Sequence, residues 1–182
     1  HRDAALQCGA RGAKAGLAIF QVHWCRFHQH LSVERAHPRG GIDARLPARQ
    51  AGDFLAGCIG DWFEDARSAI LTLTEGPQVL VGSSMGGWIS LLLARAYPEK
   101  VAGLVTIAAA PDFTEDSMWA SFSVAQRQTL LAEGQLALPS DYSDEPYVIT
   151  RRLIEDGRNH LVLRSPLDLP FPVRFLQGTA DA

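Results

Sequence analysis

The sequence predicts an α/β protein in which helices flank a mostly parallel sheet, and three observations support this. A short apolar strand at residues 78–81 runs into a turn of small residues, and a long apolar helix follows at 88–97. A second strand, at 101–108, is apolar throughout, as in parallel sheets that are covered on both faces. An amphipathic helix precedes both strands and ends at Gly76 and Pro77.

The amphipathic helix is predicted from apolar residues that recur at helical spacing, with charged residues on the opposite face. The apolar set comprises Ile59, Trp62, Phe63, Ala66, Ala69, Ile70 and Leu73. We interpret Trp62 and Phe63 as core residues. The helix at 88–97 is apolar nearly all round, so we expect it to be buried.

The turn between strand and helix contains Gly82-x-Ser84-x-Gly86, which has the spacing of a nucleophile elbow. An elbow holds its nucleophile on a strained bend, and the residues two positions away must be small because strand and helix pass closely. The Met85 N–H then lies at the positive end of the helix dipole, where it can stabilise an oxyanion. Ser83 is the rival, but only Ser84 is flanked by glycines on both sides. We therefore predict Ser84 as nucleophile and Met85 as oxyanion-hole residue.

Other uses of a glycine-rich turn fit the sequence less well. A Walker-type phosphate loop needs Lys followed by Ser or Thr, and a dinucleotide site needs G-x-G-x-x-G; the turn contains neither. The net charge of −3 gives no reason to expect a nucleic-acid partner, and no apolar run approaches the length of a membrane span. The three cysteines are scattered, which favours a reducing, cytoplasmic location over a disulfide framework.

The residues at 82–87, 91–96, 98–101 and 111–113 resemble the α/β-hydrolase superfamily. More narrowly, residues 51–182 are similar to the bacterial relatives of the mitochondrial palmitoyl-protein thioesterase of the α/β-hydrolase-domain group. The resemblance implies hydrolysis of acyl esters or thioesters through an acyl-Ser84 intermediate. The substrate would be a small-molecule or acyl-protein ester or thioester, and neither a cofactor nor a metal would be needed.

A catalytic acid is expected after the strand at 172–176. The segment from Gln177 to Asp181 resembles the family's H-G-x-x-D pattern, which places Asp181 as the triad acid and Gln177 where histidine is usual. A surface turn aspartate is the alternative. Asp112 also follows a strand, but we favour a turn role for it.

The resemblance places the base histidine tens of residues after Asp181, whereas the sequence stops at Ala182. His160 precedes the acid, so a structural or lid role is favoured for it. Because the first residue is not Met and the base is missing, we expect a fragment, an incomplete hydrolase fold with little or no activity.

Residues 1–50 match the family poorly, and only 16–22 has the character of a strand. The resemblance implies two or three core strands here, and a loop with the second oxyanion donor. The stretch 37–41 faintly resembles such a loop, although a polar turn is favoured. The hypothesis is that this segment is corrupted by a shifted reading frame, divergent or disordered. A metal site at Cys25, His28 and His30 is disfavoured by their loose spacing.

Residues 113–165 interrupt the strand–helix alternation and predict a helical lid inserted into a partial hydrolase domain at 51–182. A capping box at Ser123 opens a helix that ends at Gly134. A loop at 139–143 and a helix from 146 to 156 follow. Four residues either line an acyl-binding slot or form the core of the lid, and both readings stay open: Met118, Trp119, Phe122 and Tyr142.

The sequence is compatible with three functions. The main hypothesis is a serine hydrolase of acyl esters or thioesters. The second is a non-catalytic hydrolase-like binding module or an inactive truncated product. The third, acyl transfer to an acceptor other than water, would use the same serine.

Overall fold

The structure, a computed structural model, describes residues 16–22, 31–36, 42–47, 54–139 and 146–179. Its strands are β1 (Gly16–Val22), β2 (Leu31–Ala36), β3 (Ile42–Pro47), β4 (Gln78–Ser83), β5 (Val101–Ile107), β6 (Gln135–Leu138), β7 (Tyr147–Thr150) and β8 (Val173–Leu176). Its helices are α1 (Ile59–Leu73), α2 (Met85–Ala96), α3 (Val124–Glu133) and α4 (Arg151–Arg158). Short 3₁₀ turns occupy Phe54–Ala56 and Pro98–Lys100, and a π-helix occupies Thr114–Trp119.

Six of these strands form one sheet in the order β3-β2-β1-β4-β5-β8. The strands β1, β4, β5 and β8 run parallel to one another, whereas β2 pairs antiparallel with both β1 and β3. The register sets Ser83 opposite Ile107, and Ile107 opposite Leu176. The carboxyl ends of β4, β5 and β8 therefore lie level at one edge of the sheet.

The helices on either side of β4 confirm the predicted amphipathic and buried patterns. Four residues of α1 are buried on one face: Ile59, Ala66, Ala69 and Ile70. In α2 every residue from Met85 to Ala94 is buried. The buried residues of α1 and α2 pack with Leu80, Leu104 and Leu153 of α4 in the main hydrophobic core. Because α2 is enclosed on all sides, its first turn is held firmly against the edge of the sheet.

The amino-terminal strands differ from the sequence-based expectation. The strand expected at 16–22 is confirmed as β1, but β2 and β3 were not expected. Apolar and polar residues do alternate along residues 42–46, as is typical of a strand, but the many polar residues around this short stretch hid the pattern. The hypothesis about the origin of residues 1–50 stays a prediction.

The segment between β5 and β8 begins as predicted and then departs from the prediction. The Ser123 hydroxyl and the Gln126 side chain form the expected capping box, and α3 ends at Gly134 with φ 78°. The helix predicted from 146 was wrong in its first turn, because Tyr147–Thr150 is strand β7, paired antiparallel with β6. Aromatic and β-branched residues favour a paired strand there. The helix α4 begins only at Arg151, where the Thr150 hydroxyl accepts a hydrogen bond from Leu153 N–H.

This segment carries a small hydrophobic core of its own. It contains Phe122, Leu130, Leu136, Ile149 and Ile154, against which Met118, Trp119, Leu138 and Tyr147 pack. Its helix α4 also reaches the main domain, because the Asp156 carboxylate accepts a hydrogen bond of 2.7 Å from Gly60 N–H at the start of α1. The segment is thus a separate packing unit that is tied to the sheet domain through α4.

Gly157 lets α4 approach the π-helix, and this contact can be tested. A Cβ at Gly157 would lie 2.3 Å from Thr114 Oγ1. Alanine normally favours helix over glycine by about 1 kcal/mol, yet we expect Gly157→Ala to destabilise the protein by about 2 kcal/mol through this clash. Urea unfolding measures the change. Adding Thr114→Ala should restore part of the loss, and unchanged stability in the single variant would contradict the packing described.

Cys58 is buried directly before α1 and is a free cysteine. Burial raises the pKa of its thiol to about 12, and the hydrogen bond with Asp61 is a smaller influence. The thiol therefore stays protonated at neutral pH. Among the described residues, no helix is long and apolar enough to span a membrane.

Candidate active site

The predicted nucleophile occupies a strained turn between β4 and α2. Ser84 has φ 51° and ψ −124°, and its side chain is exposed. A non-glycine residue at positive φ costs about 1 to 3 kcal/mol, so its surroundings must compensate for the strain. The turn sets Ser84 at the carboxyl edge of the sheet, directly before the first residue of a buried helix. These are the features expected of a nucleophile elbow.

Two glycines make this turn possible because the strand, the helix and the next loop nearly touch. A Cβ at Gly82 would lie 2.4 Å from Gly86 O and 2.5 Å from Ser90 Oγ. A Cβ at Gly87 would lie 2.6 Å from the Ala109 Cβ. The sequence spacing singled out Gly82 correctly, whereas the need for glycine at 87 arises from a contact across the sheet edge.

Backbone hydrogen bonds hold Ser84 on both sides. Ser84 N–H donates to Ile107 O at 3.0 Å, and Ser84 O accepts from Gly87 N–H at 2.9 Å and from Ala110 N–H at 3.1 Å. The Ser90 hydroxyl donates to Gly86 O at 2.7 Å within the following turn. The backbone of Ser84 is therefore fixed while its hydroxyl is exposed.

Met85 is the first residue of α2, and its side chain is 2% exposed. The first N–H groups of an α-helix have no acceptor within the helix, and they lie at the positive end of its dipole. An oxyanion formed on a carbonyl attacked by Ser84 could accept a hydrogen bond from Met85 N–H. The role of Met85 in an oxyanion hole stays a prediction.

Asp112 and His160 are both engaged away from Ser84. The Asp112 carboxylate is fully buried and accepts hydrogen bonds from Val162 N–H at 2.8 Å and Leu163 N–H at 2.9 Å. The His160 Nε2 lies 3.6 Å from Asp156 Oδ1. No hydrogen bond joins Ser84 Oγ to either residue. These contacts agree with the structural roles that the sequence favoured for both.

Asp181 lies outside the described residues, whereas β8, the strand that precedes it, is described. Leu176, the last residue of β8, lies opposite Ile107, and Ala108 N–H donates to Leu176 O at 2.8 Å. The chain after β8 therefore leaves the sheet at the same edge as Ser84. The assignment of Asp181 as acid stays a prediction.

Met118 and Trp119 lie on the π-helix, where both are partly buried against the small core of the inserted segment. The Trp119 ring is stacked by two guanidinium groups, with Arg127 at 5.0 Å and Arg158 at 4.6 Å from the ring centroid. Phe122 contacts the same ring edge-to-face at 6.3 Å. These contacts account for Trp119 as a packing residue. Acyl binding by Met118 and Trp119 stays a prediction, and Tyr142 lies outside the described residues.

The loop that follows β5 was not singled out by the sequence beyond Asp112. Ala109 packs against Gly87, and Ala110 binds the Ser84 carbonyl. Alanine carries no side-chain signal for such contacts, so local sequence could not reveal them. Within the part of the chain that the structure describes, no group of three or more His, Cys, Asp or Glu residues could hold a metal ion. Cys25, His28, His30 and the stretch 37–41 lie outside it.

Comparison with known proteins agrees with this geometry. The sequence profile of a family described as alpha/beta hydrolase fold matches residues 53–152. A rat protein named palmitoyl-protein thioesterase ABHD10, mitochondrial, is 40% identical over 129 residues, which are 70% of this chain and 43% of the rat protein. A pimeloyl-[acyl-carrier protein] methyl ester esterase of Shewanella woodyi is 36% identical over 94 residues, covering 50% of this chain and 33% of that enzyme. The matched part thus spans less than half the length of either curated relative.

The solved structures that are similar to this chain include the following two. A protein from Agrobacterium vitis S4 classed as a hydrolase superposes with a TM-score of 0.68 at 39% identity, over 71% of this chain and 52% of that one. Mouse alpha/beta hydrolase domain-containing protein 10 superposes with a TM-score of 0.62 at 36% identity, over 70% and 51% of the two chains. The profile match covers more than half of the chain and includes β4, the Ser84 turn and α2. The chain therefore belongs to the family with the alpha/beta hydrolase fold.

Proposed function

We propose that this chain carries the nucleophile of a serine hydrolase that cleaves acyl esters or thioesters. The observation that carries the proposal is the backbone of Ser84, which has φ 51° and an exposed side chain at the start of α2. Strain of this kind is retained where a reactive group must be presented. Neither packing nor phosphate binding requires an exposed serine on such a bend.

The proposed reaction begins with attack of Ser84 Oγ on the carbonyl carbon of the acyl group. The negative charge that forms on the carbonyl oxygen is stabilised by Met85 N–H and by the dipole of α2. The alcohol or thiol then leaves with a proton, and an acyl-Ser84 ester remains. Water attacks this ester, so that the acid is released and Ser84 Oγ regains its proton.

Proton transfer from Ser84 needs a base, for which a histidine oriented by Asp181 is proposed. The strands β4 and β8 are two positions apart in the sheet, so their ends are separated by about 10 Å. One imidazole ring with a hydrogen bond of about 2.8 Å at each nitrogen joins two partner atoms about 8 Å apart, which is compatible with side chains that extend from strand ends separated by about 10 Å. Among the described residues His160 is the sole histidine, and it lies beside Asp156, so we do not assign the base to it.

The substrate class is proposed from the relatives. The rat protein is named a palmitoyl-protein thioesterase and the Shewanella protein a methyl ester esterase. Both names describe an acyl group bonded to oxygen or sulfur, the bond that an activated serine attacks. We propose acyl esters and thioesters, with palmitoylated protein as the narrower candidate. Met118 and Trp119 remain candidates for contact with the acyl chain, and a cytoplasmic location stays a prediction.

One observation favours a second candidate function. No hydrogen bond joins Ser84 Oγ to another of the described residues, so this part of the chain does not provide its base. A non-catalytic hydrolase-like binding module, or a chain without turnover, would have the same elbow. Reactivity of Ser84 separates the two functions.

The experiment measures labelling of the purified chain by a fluorophosphonate probe, followed by peptide mass spectrometry. We expect one labelled residue, Ser84, and no labelling of Ser84→Ala. Ser83→Ala is the matched control, because Ser83 belongs to β4 and should leave labelling intact. Release of thiol from palmitoyl-CoA, compared with release of nitrophenol from short-chain esters, then tests the substrate class. A folded wild-type chain that stays unlabelled would favour the binding module, and labelling of Ser84→Ala would contradict the assignment of the nucleophile.

A further inference from the structure

The loop at 108–112, which follows β5, contacts the nucleophile turn at several points. Ala110 N–H donates to Ser84 O at 3.1 Å, and the Ala109 side chain fills the space beside Gly87. At the start of the loop, Ala108 N–H donates to Leu176 O. The loop therefore joins the nucleophile turn to the end of β8.

The other end of this loop is held by Asp112. The Asp112 side chain is 0% exposed, and its oxygens accept from Val162 N–H and Leu163 N–H, some fifty residues later in the chain. Its main-chain carbonyl accepts from Glu115 N–H at 3.0 Å and Asp116 N–H at 2.9 Å. Asp112 thus binds both the start of the inserted segment and the chain returning from it.

The loop is strained at both ends. Ala108 has φ 46° and Asp112 has φ 57°, and these two residues with Ser84 are the non-glycine positions of positive φ in the described chain. Such conformations persist only where the surrounding contacts over-determine them. Without the Asp112 carboxylate, the loop can relax toward negative φ and withdraw Ala110 from Ser84.

We propose that Asp112 is a positioning residue that fixes Ser84 through the loop at 108–112 and ties the inserted segment to the same loop. The effect on reactivity rests on the proposed function of Ser84. We do not assign Asp112 as the triad acid, because no hydrogen bond joins a histidine of the described residues to its carboxylate. Its two oxygens instead accept from Val162 N–H and Leu163 N–H, and one of them lies 3.5 Å from the Arg164 guanidinium.

The main test uses Asp112→Asn with the exposed Asp168→Asn as matched control. Asparagine tolerates positive φ but replaces one acceptor oxygen with an NH₂ donor facing a backbone N–H. We expect the maximal rate of fluorophosphonate labelling to fall at least about tenfold, while the probe concentration for half-maximal rate and the final labelled fraction stay unchanged. If Asp112 only stabilised the fold, the substitution would instead lower the fraction of molecules that become labelled. The rate constant for labelling of the folded molecules would be unchanged. A wild-type rate in Asp112→Asn would overturn the proposal.

Amide hydrogen exchange tests the same linkage without relying on reactivity. We expect Asp112→Asn to accelerate exchange at Val162, Leu163 and Ala110 by about tenfold to a hundredfold, with the core amides of α2 unchanged. Unchanged protection at Ala110 would overturn the coupling to Ser84. If the wild-type chain is not labelled, the proposed function fails. The exchange result still tests whether Asp112 holds the loop at 108–112 in place.

A third measurement needs only the wild type, in case Asp112→Asn does not fold. The proposal expects Ala110, Val162 and Leu163 to exchange with the same opening equilibrium and the same denaturant dependence, as one cooperative unit. Independent opening of Ala110 would overturn it.

Discussion

Gly82→Ala is expected to destabilise the protein by about 3 kcal/mol and to abolish labelling of Ser84. The new Cβ would lie 2.4 Å from a backbone oxygen, Gly86 O, and 2.5 Å from Ser90 Oγ. Real Cβ contacts are not this short, so either β4 or α2 must move. Because α2 is buried on all sides, movement at its first turn disturbs the main core as well.

Gly103→Ala is the matched control for this prediction. Gly103 is also buried in a central strand, β5, but a Cβ there would lie 3.3 Å from Pro172 O and 4.0 Å from Val79 Cγ2. A shift of a few tenths of an ångström accommodates that contact. Urea unfolding followed by circular dichroism measures both variants. Equal losses in the two would show that the elbow is no tighter than the rest of the sheet.

Ser84→Gly is expected to abolish fluorophosphonate labelling and at the same time to stabilise the fold. Removing the nucleophile of a serine hydrolase costs about 10⁴-fold or more in rate. Glycine adopts φ 51° without the penalty that serine carries, while it makes the unfolded chain more flexible. We expect a net gain of about 1 kcal/mol, which for a domain of this size raises Tm by about 2 to 4 °C.

Ser84→Ala separates strain relief from loss of the hydroxyl. Alanine also lacks the nucleophile but keeps a Cβ at positive φ, so it should lose labelling without the gain in Tm. Differential scanning calorimetry of the three proteins, with labelling in parallel, makes the comparison. A Tm of Ser84→Gly at or below that of Ser84→Ala would contradict the claim that the turn stores strain.

Residues that form local patterns could be interpreted from the sequence. The period of α1, the capping box at Ser123 and the end of α3 at Gly134 were all predicted and found. The spacing of Gly82, Ser84 and Gly86 predicted the turn between β4 and α2. Each of these features depends on neighbours within one or two turns of chain, which the sequence displays directly.

Features that depend on contacts between elements were not predicted. The strand Tyr147–Thr150 was interpreted as helix, because its partner Gln135–Leu138 lies across a connection that local periodicity does not describe. The strands β2 and β3 were also overlooked, although the alternation of apolar and polar residues along residues 42–46 is typical of a strand. The sequence indicated only a turn role for Asp112, since nothing near it in sequence indicates Val162 and Leu163 as its partners.

The sequence by itself determined that a strand, a glycine-flanked serine and a buried helix follow one another, because the spacing of small and apolar residues is typical of that arrangement. The tertiary structure alone decided what holds that serine. The Ser84 carbonyl accepts a hydrogen bond from Ala110 N–H in the loop after β5, and the Ser84 N–H donates one to Ile107 O at the end of β5. These groups lie beside Ser84 only after the sheet has formed. The physical reason is that backbone hydrogen bonds carry no side-chain identity, so the alanines that position Ser84 are visible only in the folded chain.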